Sequence, residues 1–206
     1  MTALPPLLLV SDSRRFPRDF HQVVRRATRD GLRWLQLREP GWSPELRRSE
    51  LAQLRRWFPE LELSLNGDAA MAAELGVGLH MAQAAPRPSS PARPYGRSAH
   101  DDAAVRRAID EGVDYLVFGT VYPTSSKPGR AGCGLESLAA ACKLARGIPV
   151  YAIGGITSER VPEVLGAGAD GVAVCGAILG ADDPREATRA LAEALESSKE
   201  ARHGTV

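Results

Sequence analysis

The sequence predicts a single (β/α)8 barrel, on three observations. Short apolar runs alternate with longer stretches of helical period, the pattern of β-α-β units around a parallel sheet. Eight such runs occur, mostly continuous rather than alternating, as expected of strands covered on both faces. A glycine recurs between a helical segment and the next strand in RDGLRWLQL, ELGVGLHM, DEGVDYLVF, ARGIPVYAI and GAGADGVAV, which marks a repeated unit.

The first strand is read in LLLVSD (7–12), a run too short to span a bilayer and with no basic segment before it. The second, LRWLQLRE (32–39), leads into SPELRRSELAQLRRWF, with Ser43 as N-cap and Pro44 in the first helical turn. LELSLNG (61–67) is followed by only a short helical stretch, DAAMAAEL. GLHMA (78–82) precedes QAAPRPSSPARP, whose four prolines exclude an ordinary helix, so a helix-poor crossover is expected before YGRSAH (95–100). DYLVFGTV (114–121), PVYAIGGI (149–156) and GVAVCGAI (171–178) complete the set, each with a helical segment after it. Gly31, Gly76, Gly112, Gly147 and Gly168 are expected as left-handed helix C-caps, and the chain is expected to fray from about residue 199.

With 206 residues, 44% of them apolar, and no dividing linker, one domain over 1–206 is expected. The 26 basic and 25 acidic residues leave a net charge of +1, so no field draws in nucleic acid or anionic lipid, and neither is expected as a partner. Any anion must be held locally. Cys133, Cys142 and Cys175 form neither a disulfide framework nor a metal-ligand spacing, which fits a cytoplasmic protein. A homo-oligomer is left open.

In such barrels ligands meet the strand C-termini and the loops beyond them. The seventh strand ends in Gly154-Gly155 and the eighth in Cys175-Gly176, where glycines let backbone N–H groups approach a phosphate; tight turns alone are the plainer reading. The long loop after the sixth strand carries Thr124, Ser126 and Lys127, two hydroxyls and a cation that suit an oxyanion, unless it is a solvated surface loop. Gln36 and Arg38 share one side of the second strand and need partners there, either a ligand or a structural carboxylate. Asn66 ends the third strand, placed to orient a heteroaromatic ring or to cap the helix that follows. His80 and His100 lie at the ends of the fourth and fifth strands, where they either move protons or serve as structural donors.

The segments QLRE (36–39), LNG (65–67), GLHMAQ (78–83), GRSAH (96–100), DYLVFGTVYPTSSK (114–127), AIGGIT (152–157) and GADGVAVCGAI (168–178), in this order, resemble the thiamine phosphate synthase/TenI superfamily. The resemblance implies a TIM barrel that handles a small phosphorylated thiazole in vitamin B1 synthesis. In the synthase branch Mg²⁺ and a lysine after Gln-x-Arg-Glu support departure of a diphosphate; here the lysine position is Pro40, and two acidic positions are Gly67 and Ala84. Asp68, one residue late, is expected to cap a helix instead. These departures favour the TenI branch: a thiazole tautomerase, an isomerase needing no metal or other cofactor, with His80, His100 or Cys175 assisting proton transfer. Thr120 stands where that branch can carry a histidine. The alternatives are a synthase, a transferase requiring Mg²⁺ and using Gln36, Arg38, Asn66, Ser98, Thr124, Ser126 and Lys127, and a non-catalytic binder of a thiazole or thiamine phosphate.

Overall fold

The computed structural model describes residues 3–124, 129 and 131–203. Eight parallel strands pair in chain order and close, β8 lying back on β1: β1 (Leu7–Val10), β2 (Trp34–Leu37), β3 (Glu62–Asn66), β4 (Gly78–Met81), β5 (Tyr95–Ala99), β6 (Tyr115–Gly119), β7 (Val150–Ile153) and β8 (Gly171–Val174). The chain therefore forms the (β/α)8 TIM barrel expected from its alternating pattern. The helices are α1 (Phe20–Arg29), α2 (Pro44–Trp57), α3 (Ala69–Leu75), α4 (Asp102–Glu111), α5 (Gly134–Ala145), α6 (Val161–Gly166), α7 (Gly176–Leu179) and α8 (Pro184–His203). None among the described residues is long and apolar enough to cross a membrane.

Local chemistry fixes where these helices start. Ser43 accepts from Leu46 N at 3.2 Å, with Pro44 the first helical residue, and Asp19, Asp68 and Asp101 cap α1, α3 and α4 in the same way. Each such cap contributes roughly 1 kcal/mol. The ends depart more from expectation. Gly76 and Gly112 are left-handed C-caps, but after α5 Arg146 takes that position with φ 52° and Gly147 follows it, while Asp30 and Ala167 precede Gly31 and Gly168. At the C-terminal end α8 continues to His203, anchored by Leu191 and Leu195, both buried.

No helix joins β4 to β5, and a buried cation holds the crossover instead. Arg97 is fully buried and points away from the barrel axis. It donates to the carbonyls of Ala82, Gln83, Ala85 and Pro86 at 2.8–3.3 Å and pairs with Glu111 of α4 at 2.8 Å. A guanidinium so far from water is tolerable only with acceptors around it, and the irregular strand connection supplies them.

The barrel interior is closed by aromatic rings. Trp34 meets Tyr115 and Tyr151 edge-on, with centroids 4.7 and 5.1 Å apart, among Leu8, Val10, Val117 and Ala173. Inward-facing glycines make the space: a Cβ at Gly96 would sit 2.0 Å from Tyr115 Cζ, and one at Gly171 2.7 Å from Tyr151 Cε1. This floor fills the barrel interior beneath its C-terminal mouth.

Candidate active site at the C-terminal mouth

Above the floor, consecutive strands contribute a ring of buried polar groups. Ser64 accepts from Trp34 Nε1 at 2.9 Å; His80 meets the Tyr115 hydroxyl through Nδ1 at 3.2 Å and Ser98 Oγ through Nε2 at 2.9 Å. Burial, aided by the Arg97 and Arg38 charges, lowers the His80 pKa to about 3, so the ring is neutral at physiological pH with both nitrogens engaged. That makes it a fixed part of the site wall and a poor proton carrier. Gln36, 2% exposed, accepts from Asn66 Nδ2 at 3.3 Å. Its amide is near enough to the Tyr115 hydroxyl to act on that phenol as a weak hydrogen-bond donor, but Nε2 has no acceptor in good hydrogen-bond geometry among the described residues. A buried donor left this way costs about 1–3 kcal/mol and marks a place where something else belongs.

Of the two roles open to Asn66, capping is taken by Asp68, which accepts from Met71 N at 3.0 Å. Arg38 pairs with a carboxylate, Asp12 Oδ2 at 3.4 Å, but its side chain remains 45% exposed at the rim. Next to it Glu39 receives both Ser13 N and Ser13 Oγ, and Ser11 Oγ accepts from Arg38 N, so the ends of β1 and β2 are latched together. Sequence reasoning missed this latch; the Ser-Asp-Ser at 11–13 facing Arg-Glu at 38–39 was its only signal. Cys175 lies close by: burial first, then the Asp12 charge, pushes its thiol up to about 12, leaving it protonated and a weak proton donor.

Next around the mouth, β8, the neighbour of β1, runs through Cys175 into Gly176, and β7 beyond it ends in Gly154 and Gly155, with φ 103° and 66°. Among the described residues, no protein group accepts a hydrogen bond from the N–H of Gly155, Ile156, Gly176 or Ala177. Two neighbouring strand ends thus present unpaired backbone donors, the arrangement that suits a phosphate. Thr120 packs on Gly154, whose Cβ would come 2.3 Å from Thr120 Cγ2. The loop beyond is pinched at its base, where Cys133 N and Gly134 N donate to the carbonyls of Thr120 and Val121, and Thr124 lies on it. Ser126 and Lys127 lie outside the described residues. His100 is exposed and its Nδ1 contacts the Gly119 carbonyl, away from the His80 ring.

A family profile described as thiamine monophosphate synthase matches residues 7–178. Among curated relatives, the thiamine-phosphate synthase of Mycobacterium sp. (strain KMS) is 39% identical, covering 93% of this chain and 92% of its own length. The thiamine-phosphate synthase of Mycolicibacterium smegmatis is 38% identical over the same shares. A solved structure, thiamine phosphate pyrophosphorylase from Pyrococcus furiosus, superposes with a TM-score of 0.79 at 30% identity, covering 93% of this chain and 96% of that one. These relatives overturn the expectation of a tautomerase: their names are those of a transferase, not an isomerase, and the likeness spans the whole barrel.

The magnesium that the resemblance attaches to the synthase branch finds no ready ligands. Magnesium asks for free carboxylate oxygens. Glu39 is occupied by Ser13, Asp12 faces Arg38, and Asp68 caps α3 and lies 3.7 Å from Arg47. Among the described residues no group of three or more His, Cys, Asp or Glu side chains is placed to hold an ion. The residues present do not fit a carboxylate-held metal.

Proposed function

The chain belongs to the thiamine monophosphate synthase family, and from that premise we propose that it is a cytoplasmic transferase of thiamine synthesis, joining a pyrimidine diphosphate to a thiazole phosphate. The observation that carries this reading is the buried Nε2 of Gln36, which finds no acceptor in good geometry among the described residues, set above an aromatic floor and across the mouth from the glycine turn. A donor fixed in that way suits a ring nitrogen or oxygen of a heteroaromatic substrate.

In the proposed reaction the thiazole ring nitrogen attacks the pyrimidine methylene carbon. The C–N bond forms as the C–O bond to the diphosphate breaks, its electron pair leaving with the diphosphate. Gln36, Asn66 and Ser98 hold the pyrimidine edge. Arg38, a half-exposed guanidinium at the rim, takes the charge growing on the leaving group, with Lys127 as the second cation. Backbone N–H groups along residues 154–156 and 175–177, those of Gly155, Ile156 and Gly176 among them, hold the thiazole phosphate, with Thr120 and Thr124 beside them. No step is routed through a metal. Orientation of two reactants over a closed floor is the main catalytic contribution of this design.

The test is turnover: purified protein with both substrates, with and without Mg²⁺, followed as thiamine phosphate and released diphosphate in equal amounts. Absence of product above the protein-free rate in both conditions refutes the transferase. A second reading, a binder of thiazole or thiamine phosphate that does not turn over, is favoured by one observation, the engagement of every rim carboxylate named above. It predicts micromolar binding without product in the same experiment.

A further inference from the structure

The Gly155 carbonyl is taken by a side chain five residues on. Arg160, at the end of the 3₁₀ turn Ser158–Arg160, donates from Nη1 to Gly155 O at 2.5 Å. Its guanidinium carbon lies 4.3 Å from the centroid of the Tyr122 ring. The Tyr122 hydroxyl in turn donates to Glu163 Oε1 on α6, and burial together with that carboxylate raises its pKa to about 12, so it remains a donor. Tyr122 stands at the root of the loop after β6: its N–H donates to Gly154 O at 3.1 Å, and a Cβ on Gly155 would fall 2.8 Å from both Tyr122 Cβ and Pro123 O.

We infer that Arg160, Tyr122 and Glu163 form a clasp that shapes the anion subsite, with Arg160 a positioning residue for a phosphate monoester. Arg160 acts through the Gly155 peptide and does not itself hold the phosphate. In a trans peptide the C=O and the following N–H point in opposite directions. With the Gly155 carbonyl drawn to Arg160, the Ile156 N–H faces the other way, and among the described residues nothing accepts from it. That peptide turns on the ψ angle of Gly155, a glycine at positive φ with no side chain of its own to restrict it, so its orientation needs something to fix it. The guanidinium fixes it, and stacking on Tyr122 keeps the guanidinium in one plane, which an ammonium group does not reproduce. A donor already in place binds its anion without an ordering cost.

The inference rests on the phosphate reading made above, and the experiment separates the two. Titration calorimetry compares binding of the thiazole phosphate with that of the unphosphorylated thiazole alcohol. Wild type is expected to prefer the phosphate ester. Arg160→Ala, Arg160→Lys and Tyr122→Leu are each expected to raise the ester Kd by about 10- to 100-fold, the worth of a hydrogen bond to a charged group. Their Kd for the alcohol should stay within about twofold, because a lost phosphate donor leaves ring binding alone. Full ester affinity in Arg160→Lys means that charge suffices, and overturns the clasp. Equal losses for ester and alcohol mean a general structural role, and also overturn it. If wild type shows no preference for the ester, the phosphate reading falls and the clasp with it; if the preference survives in all three variants, only the clasp falls.

Discussion

Replacing Gln36 with methionine should make the free protein more stable and the enzyme worse. The substitution keeps the side-chain volume and removes a buried donor that has no acceptor in good geometry among the described residues, a relief of about 1–3 kcal/mol. Against this stands the loss of the contact with Asn66, which at 3.3 Å is long and worth roughly 0.5 kcal/mol. The expected net gain is about 1–2 kcal/mol, which for a domain of this size raises Tm by roughly 2–8 °C. With substrate bound the balance reverses, since the donor now has a partner to lose, and kcat/KM should fall by about 10- to 100-fold. Scanning calorimetry of the free protein and initial-rate kinetics read the two effects separately. A lower Tm with unchanged kcat/KM refutes the reasoning and makes Gln36 a structural partner of Tyr115.

Three further outcomes follow from the geometry. Gly154→Ala meets both a φ of 103° and a 2.3 Å approach to Thr120 Cγ2; urea denaturation should show a loss of about 2–4 kcal/mol, and a loss under about 0.5 would show that the turn relaxes freely. His80 has a folded pKa of about 3 against an ordinary 6.5, so the unfolded chain takes up the proton first. Stability is then complete above pH 6.5 and falls as the pH drops toward 3, by up to about 1.4 kcal/mol per pH unit from this group. His80→Gln should flatten that slope by one proton between pH 6 and 4 in pH-dependent unfolding, and parallel slopes would disprove the buried neutral assignment. Arg97→Met leaves four carbonyls without their donor and leaves Glu111 only the Tyr95 hydroxyl and the more distant Arg107, for an expected cost of about 3–5 kcal/mol. Hydrogen exchange in residues 82–94 should quicken first; protection unchanged there would remove Arg97 from its role in the crossover.

The barrel was legible because its evidence is periodic: eight apolar runs, glycines at the junctions and a proline-rich gap each leave a mark in one dimension. The helix ends were less so, since Arg146 in a left-handed conformation breaks the residue preference that placed Gly147 as the cap. Burial was harder still. Arg97 reads as an ordinary surface cation until the crossover wraps it, and His80 reads as a proton carrier until the surrounding wall lowers its pKa. The glycine turn was found from position alone, but the Arg160 side chain that grips it lies on a later turn, and Tyr122 on a different loop. The reaction was misjudged for a related reason. A few missing carboxylates at motif positions outweighed likeness spread across the rest of the barrel, although those positions speak to the metal and not to which bond is made.

The most direct test of the site is a structure with the thiazole phosphate bound. The phosphate should lie within hydrogen-bond distance of the Gly155, Ile156 and Gly176 N–H groups, with the ring over the aromatic floor and the Gln36 side of the mouth left open for the pyrimidine. A phosphate paired instead with Arg38, or a ligand seated away from the strand C-termini, would contradict the account.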